Sequence, residues 1–181
     1  LLRSAQVAQM ARRAEEFGLA PMAVKANFPR VMERVQAVVK TIEPHDSVER
    51  YTSLGVDCVQ GDARIVSPWE VEVNGKRLSA RNIIIASGAR PRVPDIPGLV
   101  ELDYLTSDTV WELAELPPRL LVLGAGPIGC ELAQAFSRLG SEVTLATHAE
   151  RILPREDEEV SELLRARPPP PLVLRRCTAE P

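Results

Sequence analysis

Apolar residues recur at helical spacing in the first part of the chain. Over residues 1–17 they fall three to four positions apart, and Gly18 follows as a stop, so the spacing predicts a helix. A second stripe predicts a helix over about 28–41, which Pro44 ends; it consists of Val31, Val35, Val38 and Val39. The first part of the chain is therefore predicted to be helical.

Between residues 56 and 86 the pattern changes to short β-rich runs. Asn74-Gly75 marks a hairpin turn among five predicted strands, VDCVQ, ARIV, WEVEV, KRLSA and NIIIA. The proline-rich segment 90–98 predicts an extended connector. Residues 106–116 predict a short helix, with Ser107 or Asp108 as its cap.

A glycine-rich unit follows Pro117-Pro118. It predicts the start of a parallel doubly wound sheet, with a strand at 119–123, a helix at 127–139, a strand at 142–146 and a helix at about 156–165. Four prolines at 168–171 then break the pattern, because no helix continues through them. The LVLRR segment beyond them is long enough for one strand.

The turn of this unit carries the G-x-G-x-x-G spacing at Gly124, Gly126 and Gly129. Gly124 permits the tight turn, Gly126 lacks the Cβ that would block phosphates, and Gly129 lets the helix pack closely on the strand. The phosphates then face backbone N–H groups and the positive end of the helix dipole, with Pro127 and Ile128 completing the turn. The sequence therefore predicts a binding site for the pyrophosphate of a dinucleotide.

Composition narrows the class of protein. The chain has 181 residues, 45% hydrophobic, and a net charge of −3, which is typical of a soluble globular protein and argues against nucleic acid or an anionic membrane as a partner. No apolar run approaches the length of a membrane span. Three scattered cysteines and two distant histidines predict neither a metal site nor a disulfide framework, and reduced cytoplasmic thiols are expected. Since Leu1 stands where a helix is already under way, we expect a fragment.

The segment IIIASGARPRVPDIPG at 83–98 resembles one found in two-dinucleotide flavoproteins, where a buried strand ends in A-[ST]-G beside FAD. Here the match is Ala86, Ser87 and Gly88. Gly61 and Ala63 match the G-x-A element whose backbone lies near the FAD adenine. Together with the glycine-rich turn, these motifs are similar to the pyridine nucleotide–disulfide oxidoreductase family over about residues 1–165, and most similar to its mercuric reductase-like and dihydrolipoamide dehydrogenase-like members.

The resemblance implies an α/β protein: a partial two-dinucleotide-binding (FAD/NAD(P)) Rossmann-like fold with an antiparallel β-meander. It divides the chain into a partial FAD-binding domain at 1–115, the first half of an NAD(P)-binding domain at 116–167 and an atypical proline-rich tail at 168–181, with the boundary near 113–118. FAD and NAD(P) are the implied cofactors, and a homodimer is the implied assembly of the full-length protein.

The resemblance also implies a reaction in which hydride passes from NAD(P)H to FAD and electrons then reduce a disulfide. The C-x-x-x-x-C pair of the family is absent from this sequence. Glu131 matches a family glutamate that pairs with a lysine near the flavin, and that lysine is absent too. The alternative for Glu131 is an acidic residue favoured in the first helical turn by the dipole. We expect the isolated chain to be inactive; the rival hypothesis is a non-catalytic or degenerate dinucleotide-binding protein.

Two further questions stay open at this point. Cys130 falls where the helix dipole lowers a thiol pKa, yet also where the helix packs closely, and packing is favoured; Cys58 is expected to be a small core residue. Thr147 falls where an NAD enzyme has its ribose-binding acid, with His148 next to it, so neither NAD nor NADP is favoured. Arg151 fits equally well beside a 2′-phosphate or in solvent.

Overall fold

The computed structural model describes residues 1–20, 22–166 and 172–176, which form five helices and six strands. The helices are α1 Leu2–Arg12, α2 Phe28–Ile42, α3 Val48–Ser53, α4 Pro127–Leu139 and α5 Glu158–Ala166. The strands are β1 Ala63–Ser67, β2 Glu70–Val73, β3 Lys76–Ser79, β4 Arg119–Leu123, β5 Glu142–Thr147 and β6 Leu172–Arg176. Helices and strands both contribute, so the α/β class predicted by the sequence is confirmed.

The chain forms two compact units. The first comprises Leu1–Gln36 and Leu102–Pro181, and the second comprises Ala37–Glu101. The parallel and antiparallel sheets are separate and fall in different units. The domain boundary that the sequence predicts near residues 113–118 stays a prediction.

A parallel sheet of order β4-β5-β6 forms the centre of the first unit. Leu121 lies opposite Thr144 on β5, and Thr144 lies opposite Val173 on β6. Helix α4 connects β4 to β5, which makes the βαβ unit that the glycine-rich motif predicts. The single strand predicted beyond the proline run is β6, while the prolines at 168–171 and Cys177 lie outside the described residues.

The core of this unit lies around α4. Phe136 on α4 is 1% exposed, and its ring centroid lies 5.9 Å from that of Phe28, the first residue of α2. Val143 on β5 is fully buried in the same cluster. Helix α1 packs against α4 and buries two of its three alanines, Ala5 and Ala8. The N-terminal helices therefore belong to the core of the parallel unit.

The second unit contains the antiparallel meander β1-β2-β3. Asn74 and Gly75 connect β2 to β3 with φ angles of +51° and +72°, so both central residues of the hairpin are left-handed. This is the geometry of a type I′ turn, which Asn-Gly favours. The predicted hairpin is confirmed.

Two of the five predicted strands are wrong. Residues 56–60 and 82–86 form no strand, and Ile84 and Ile85 are 88% and 72% exposed rather than buried. A strand exists only where a neighbour supplies hydrogen bonds, and the described strands of this unit pair with each other alone. Cys58, expected in the core, is exposed for the same reason.

The predicted helices near 1–17 and 106–116 are shorter than expected. Helix α1 ends at Arg12, and a 3-10 turn at Ala14–Phe17 continues to Gly18, whose φ of +75° confirms the stop. In 106–116 only Val110–Glu112 forms a 3-10 turn. The Thr109 hydroxyl accepts the Thr106 N–H at 2.9 Å, and such side-chain bonds compete with helix formation.

We expect Phe136→Ala to lower the free energy of unfolding by about 3–5 kcal/mol, because it leaves a cavity where α1, α2 and α4 meet. Phe17→Ala is the matched control: Phe17 is 66% exposed, and its loss should change that free energy by no more than about 0.5 kcal/mol. Urea denaturation of both variants measures the difference. Equal effects of the two substitutions would contradict the assignment of this core.

Candidate functional site

The glycine-rich turn lies at the carboxyl end of β4, where it joins α4. Gly124 has a φ of +102°, which side chains rarely adopt, and its N–H donates to the Ala146 carbonyl at 2.8 Å. The residue therefore continues the pairing with β5 while it reverses the chain direction. Only glycine adopts this conformation without strain.

Gly129 is required by close packing. A Cβ built on Gly129 would overlap the carbonyl oxygen of Gly124 and lie 3.2 Å from its carbonyl carbon. Because both of these atoms are backbone, no side-chain movement would relieve the overlap. The start of α4 therefore sits directly on the turn.

Gly126 differs from the other two glycines. Its φ of −76° and ψ of 178° are ordinary extended values, and a Cβ built on it would meet nothing within 4 Å. Neither backbone conformation nor packing within the described chain explains a glycine here. The space beside Gly126 is open, as expected where a ligand approaches the backbone.

The N-terminus of α4 opens onto this space. Gly126 is the N-cap residue and Pro127 the first helical residue, and no side chain of the described residues caps the helix. Ile128 is 61% exposed, so the amide end of the helix is accessible. The first N–H groups of a helix have no intrahelical partner, and they carry a partial positive charge that attracts anions.

The carbonyl of Ala125 is turned into the protein. Its oxygen accepts the Leu153 N–H at 2.7 Å and the Cys130 Sγ–H at 3.5 Å, and Ala125 is 3% exposed. Sequence reasoning missed Leu153, because its apolar side chain gives no signal that its backbone contacts the turn. It also missed Ser161, whose hydroxyl donates to the Ile152 carbonyl at 2.7 Å.

Cys130 is 7% exposed in the first turn of α4. Burial raises the pKa of its thiol, the Leu153 backbone hydrogen bond opposes this by a smaller amount, and the negative charge of Glu131 adds the smallest effect, which also raises the pKa. The helix dipole therefore does not produce a reactive thiolate. These observations favour the packing role over redox chemistry.

Glu131 is exposed and is the fifth residue of α4. The alternative that placed it in the first helical turn is wrong, since that turn contains no acidic residue. No hydrogen bond or ion pair holds its carboxylate within the part of the chain that the structure describes. Its predicted role near a flavin stays a prediction.

Thr147 is the last residue of β5 and follows Ala146, whose carbonyl accepts the Gly124 N–H. It is 8% exposed, and its hydroxyl accepts the Ala149 N–H at 3.1 Å, whereas His148 is exposed. The Arg151 guanidinium donates to the backbone carbonyls of Pro154 and Glu156, at 3.4 and 2.9 Å. It is thus engaged within its own loop rather than extended into solvent.

The residues predicted to contact FAD lie in the second unit. Ala63 begins β1, and Gly61 has a φ of +155° with the Asn74 side chain where its Cβ would be. Ala86, Ser87 and Gly88 lie in an exposed segment without secondary structure. The described residues thus show no cradle for FAD at these positions.

The described residues contain no group of three or more His, Cys, Asp or Glu side chains placed to bind a metal ion. None of the described helices combines the length and the apolar character that a membrane crossing needs.

Comparison with known proteins places this geometry in a family. The family model described as pyridine nucleotide-disulphide oxidoreductase matches residues 4–167. The chain is 38% identical over 162 residues to a mercuric reductase of Lysinibacillus sphaericus, covering 90% of this chain and 30% of that protein. It is also 38% identical over 178 residues to a dihydrolipoyl dehydrogenase of Bacillus subtilis, covering 89% of this chain and 36% of that protein.

Comparison of the fold with solved structures also finds a flavoprotein disulfide reductase. The Cu(II) complex of the HOCl-induced flavoprotein disulfide reductase RclA from Escherichia coli is similar with a TM-score of 0.70 and 26% identity, over 95% of this chain and 37% of that chain. The chain thus spans about a third of the length of the relatives it matches. The family resemblance predicted from the sequence is confirmed: this chain belongs to the pyridine nucleotide-disulphide oxidoreductase family.

Proposed function

We propose that the turn from Gly124 to Gly129 binds the pyrophosphate of a nicotinamide dinucleotide. The observation that carries this proposal is the open space beside Gly126, directly in front of the uncapped N-terminus of α4. A pyrophosphate placed there meets unpartnered N–H groups and the positive end of the helix dipole. Proteins of this family use FAD and NAD(P)H.

The wider proposal is that the chain is part of an FAD-dependent NAD(P)H:disulfide oxidoreductase, similar to the mercuric reductases. When bound, the two cofactors supply the hydride transfer from nicotinamide to flavin. The residues of this chain bind and orient the dinucleotide through backbone groups. For the longer protein we propose a cytoplasmic homodimer, as the family resemblance implies.

The preference of the site for NADH or NADPH depends on Thr147 and Arg151. Thr147 offers no carboxylate to a ribose 2′-hydroxyl, and the Arg151 guanidinium is already bound by two carbonyl groups. Neither residue distinguishes the two cofactors through charge in this arrangement. We therefore propose that both NADH and NADPH enter the site.

The cysteines of this chain support a second candidate function. The sequence has no C-x-x-x-x-C pair, and burial with a raised pKa makes Cys130 unsuited to thiol exchange. A dinucleotide-binding protein without a redox disulfide therefore remains the alternative for the chain as it stands. The two candidates share the same phosphate site and differ in thiol chemistry.

We expect Gly126→Val to weaken binding of both NADH and NADPH by about a hundredfold, because both carry the pyrophosphate that the side chain would displace. The fold should tolerate valine here, since the backbone angles are ordinary and the Cβ meets nothing within 4 Å. Fluorescence titration measures the affinities, and Gly126→Ala should give a smaller loss. Unchanged affinity in a folded valine variant would remove the proposed site.

The 181-residue chain should purify without FAD and show no thiol-dependent oxidation of NAD(P)H. The predicted contacts at Ala86, Ser87 and Gly88 lie in an exposed segment and form no cradle. The visible absorbance spectrum and a turnover assay test this expectation. A flavin band together with turnover would show that this chain alone is a complete enzyme.

We expect iodoacetamide to modify Cys58 in the folded protein near pH ~8 and to leave Cys130 unmodified until urea is added. Cys58 is exposed, while Cys130 is buried with a raised pKa. Because unfolding lowers that pKa to its ordinary value, the thiol contributes stability at neutral pH that is lost as the pH rises through the folded pKa. Peptide mass spectrometry follows both sites, and equal labelling in the folded state would restore Cys130 as a redox candidate.

A further inference from the structure

Leu153 has an unusual backbone for a buried residue. Its φ is +47°, in the left-handed region that favours glycine, although its side chain is only 7% exposed. A leucine keeps such a conformation only where its surroundings hold it there. Asn74, the other described residue of this kind besides glycine, is explained by its hairpin turn. Leu153 lies in no hairpin.

Hydrogen bonds on both sides hold the Leu153 backbone. Its N–H donates to the Ala125 carbonyl at 2.7 Å, and its own carbonyl accepts the Glu156 N–H at 3.0 Å. Ser161, on α5, donates its hydroxyl to the Ile152 carbonyl at 2.7 Å and lies 3.5 Å from the Leu153 carbonyl. These bonds connect α5 to the middle of the glycine-rich turn.

The residues that make these bonds are buried. Ser161 is 4% exposed, Ile152 is 7% exposed, and Ala125 is 3% exposed. A buried hydroxyl that lost its acceptor, or a buried carbonyl that lost its donor, would have no water to replace the bond. Breaking one of these bonds is therefore expected to destabilise the arrangement.

We propose that Ile152, Leu153 and Ser161 form a latch that positions the phosphate-binding turn. The latch holds the Ala125 carbonyl inward through the Leu153 N–H. It thereby fixes the peptide between Ala125 and Gly126, which leads into the amino end of α4. Ser161 acts as a positioning residue, because it reaches the turn only through Ile152 and Leu153. This inference rests on the proposed dinucleotide site and adds the element that keeps it ordered before the ligand arrives.

Ser161→Ala tests the latch, and Ser141→Ala is its matched control. The Ser141 side chain is also buried, and its hydroxyl donates to the Pro117 carbonyl at 2.6 Å. It lies at the amino end of β5, whereas the glycine turn lies at the carboxyl ends of the strands. Each variant loses a buried serine hydroxyl that donates to a backbone carbonyl at 2.6 or 2.7 Å, but only Ser161→Ala releases the latch.

Amide hydrogen exchange of the chain without nucleotide is the first measurement. The amides of Gly124 and Cys130, which donate to the carbonyls of Ala146 and Gly126, should exchange about tenfold faster in Ser161→Ala than in the wild type, and at the wild-type rate in Ser141→Ala. In the wild type, the Leu153 amide should exchange at the same rate as the Cys130 amide, because one opening exposes both. A Leu153 amide that exchanges freely while the turn is protected would overturn the latch, whether or not either variant folds.

Nucleotide affinity is the second measurement. We expect the Kd for NADH to rise about tenfold in Ser161→Ala and to change less than about twofold in Ser141→Ala. Unchanged exchange and affinity in Ser161→Ala would overturn the latch and leave the proposed site intact. A wild-type chain without affinity for NADH or NADPH would instead remove the proposed function, and the exchange data would still decide whether the latch orders the turn.

Discussion

The close approach of α4 to the end of β4 is the constraint on which the rest of the first unit depends. Only the missing side chain of Gly129 lets the helix start against the carbonyl of Gly124. That position directs Phe136 onto Phe28 and brings α1 into contact with α4. A larger residue at 129 would therefore disturb both the turn and the core.

The close approach of α4 to β4 also determines which backbone groups the turn presents to a ligand. Because α4 begins directly after β4, its first N–H groups lie at the carboxyl edge of a parallel sheet, where α/β proteins bind their ligands. The Ala125 carbonyl faces inward, so the open side of the turn presents donors rather than an acceptor. Structure and electrostatics thus favour an anion at the same point.

The second unit contains a segment that has the sequence of a strand but pairs with no described strand. The NIIIA segment has the composition of a strand buried on both faces, yet two of its three isoleucines, Ile84 and Ile85, are largely exposed. The β1-β2-β3 meander forms because each strand finds its neighbour within a short hairpin or turn.

Local sequence determined the elements whose signals are short-range. The glycine spacing, the apolar run before it and the helical stripe after it predicted β4, α4 and β5 within a residue, and Asn74-Gly75 predicted its hairpin. The contacts within the Asn74-Gly75 hairpin turn, and between Gly124 and Gly129, lie between residues close in sequence. The roles of Gly124 and Gly129 in the turn followed from the same local geometry.

Only the tertiary structure decided the rest. It placed α1 on α4, left 82–86 unpaired, buried Cys130 enough to raise its pKa, and brought Leu153 and Ser161 behind the turn. These outcomes depend on which distant segments meet, and neither propensity nor periodicity contains that information. By itself, the sequence determined the glycine-rich turn and the helix that starts from it; the packing of residues remote in the chain decided which backbone groups lie against that turn.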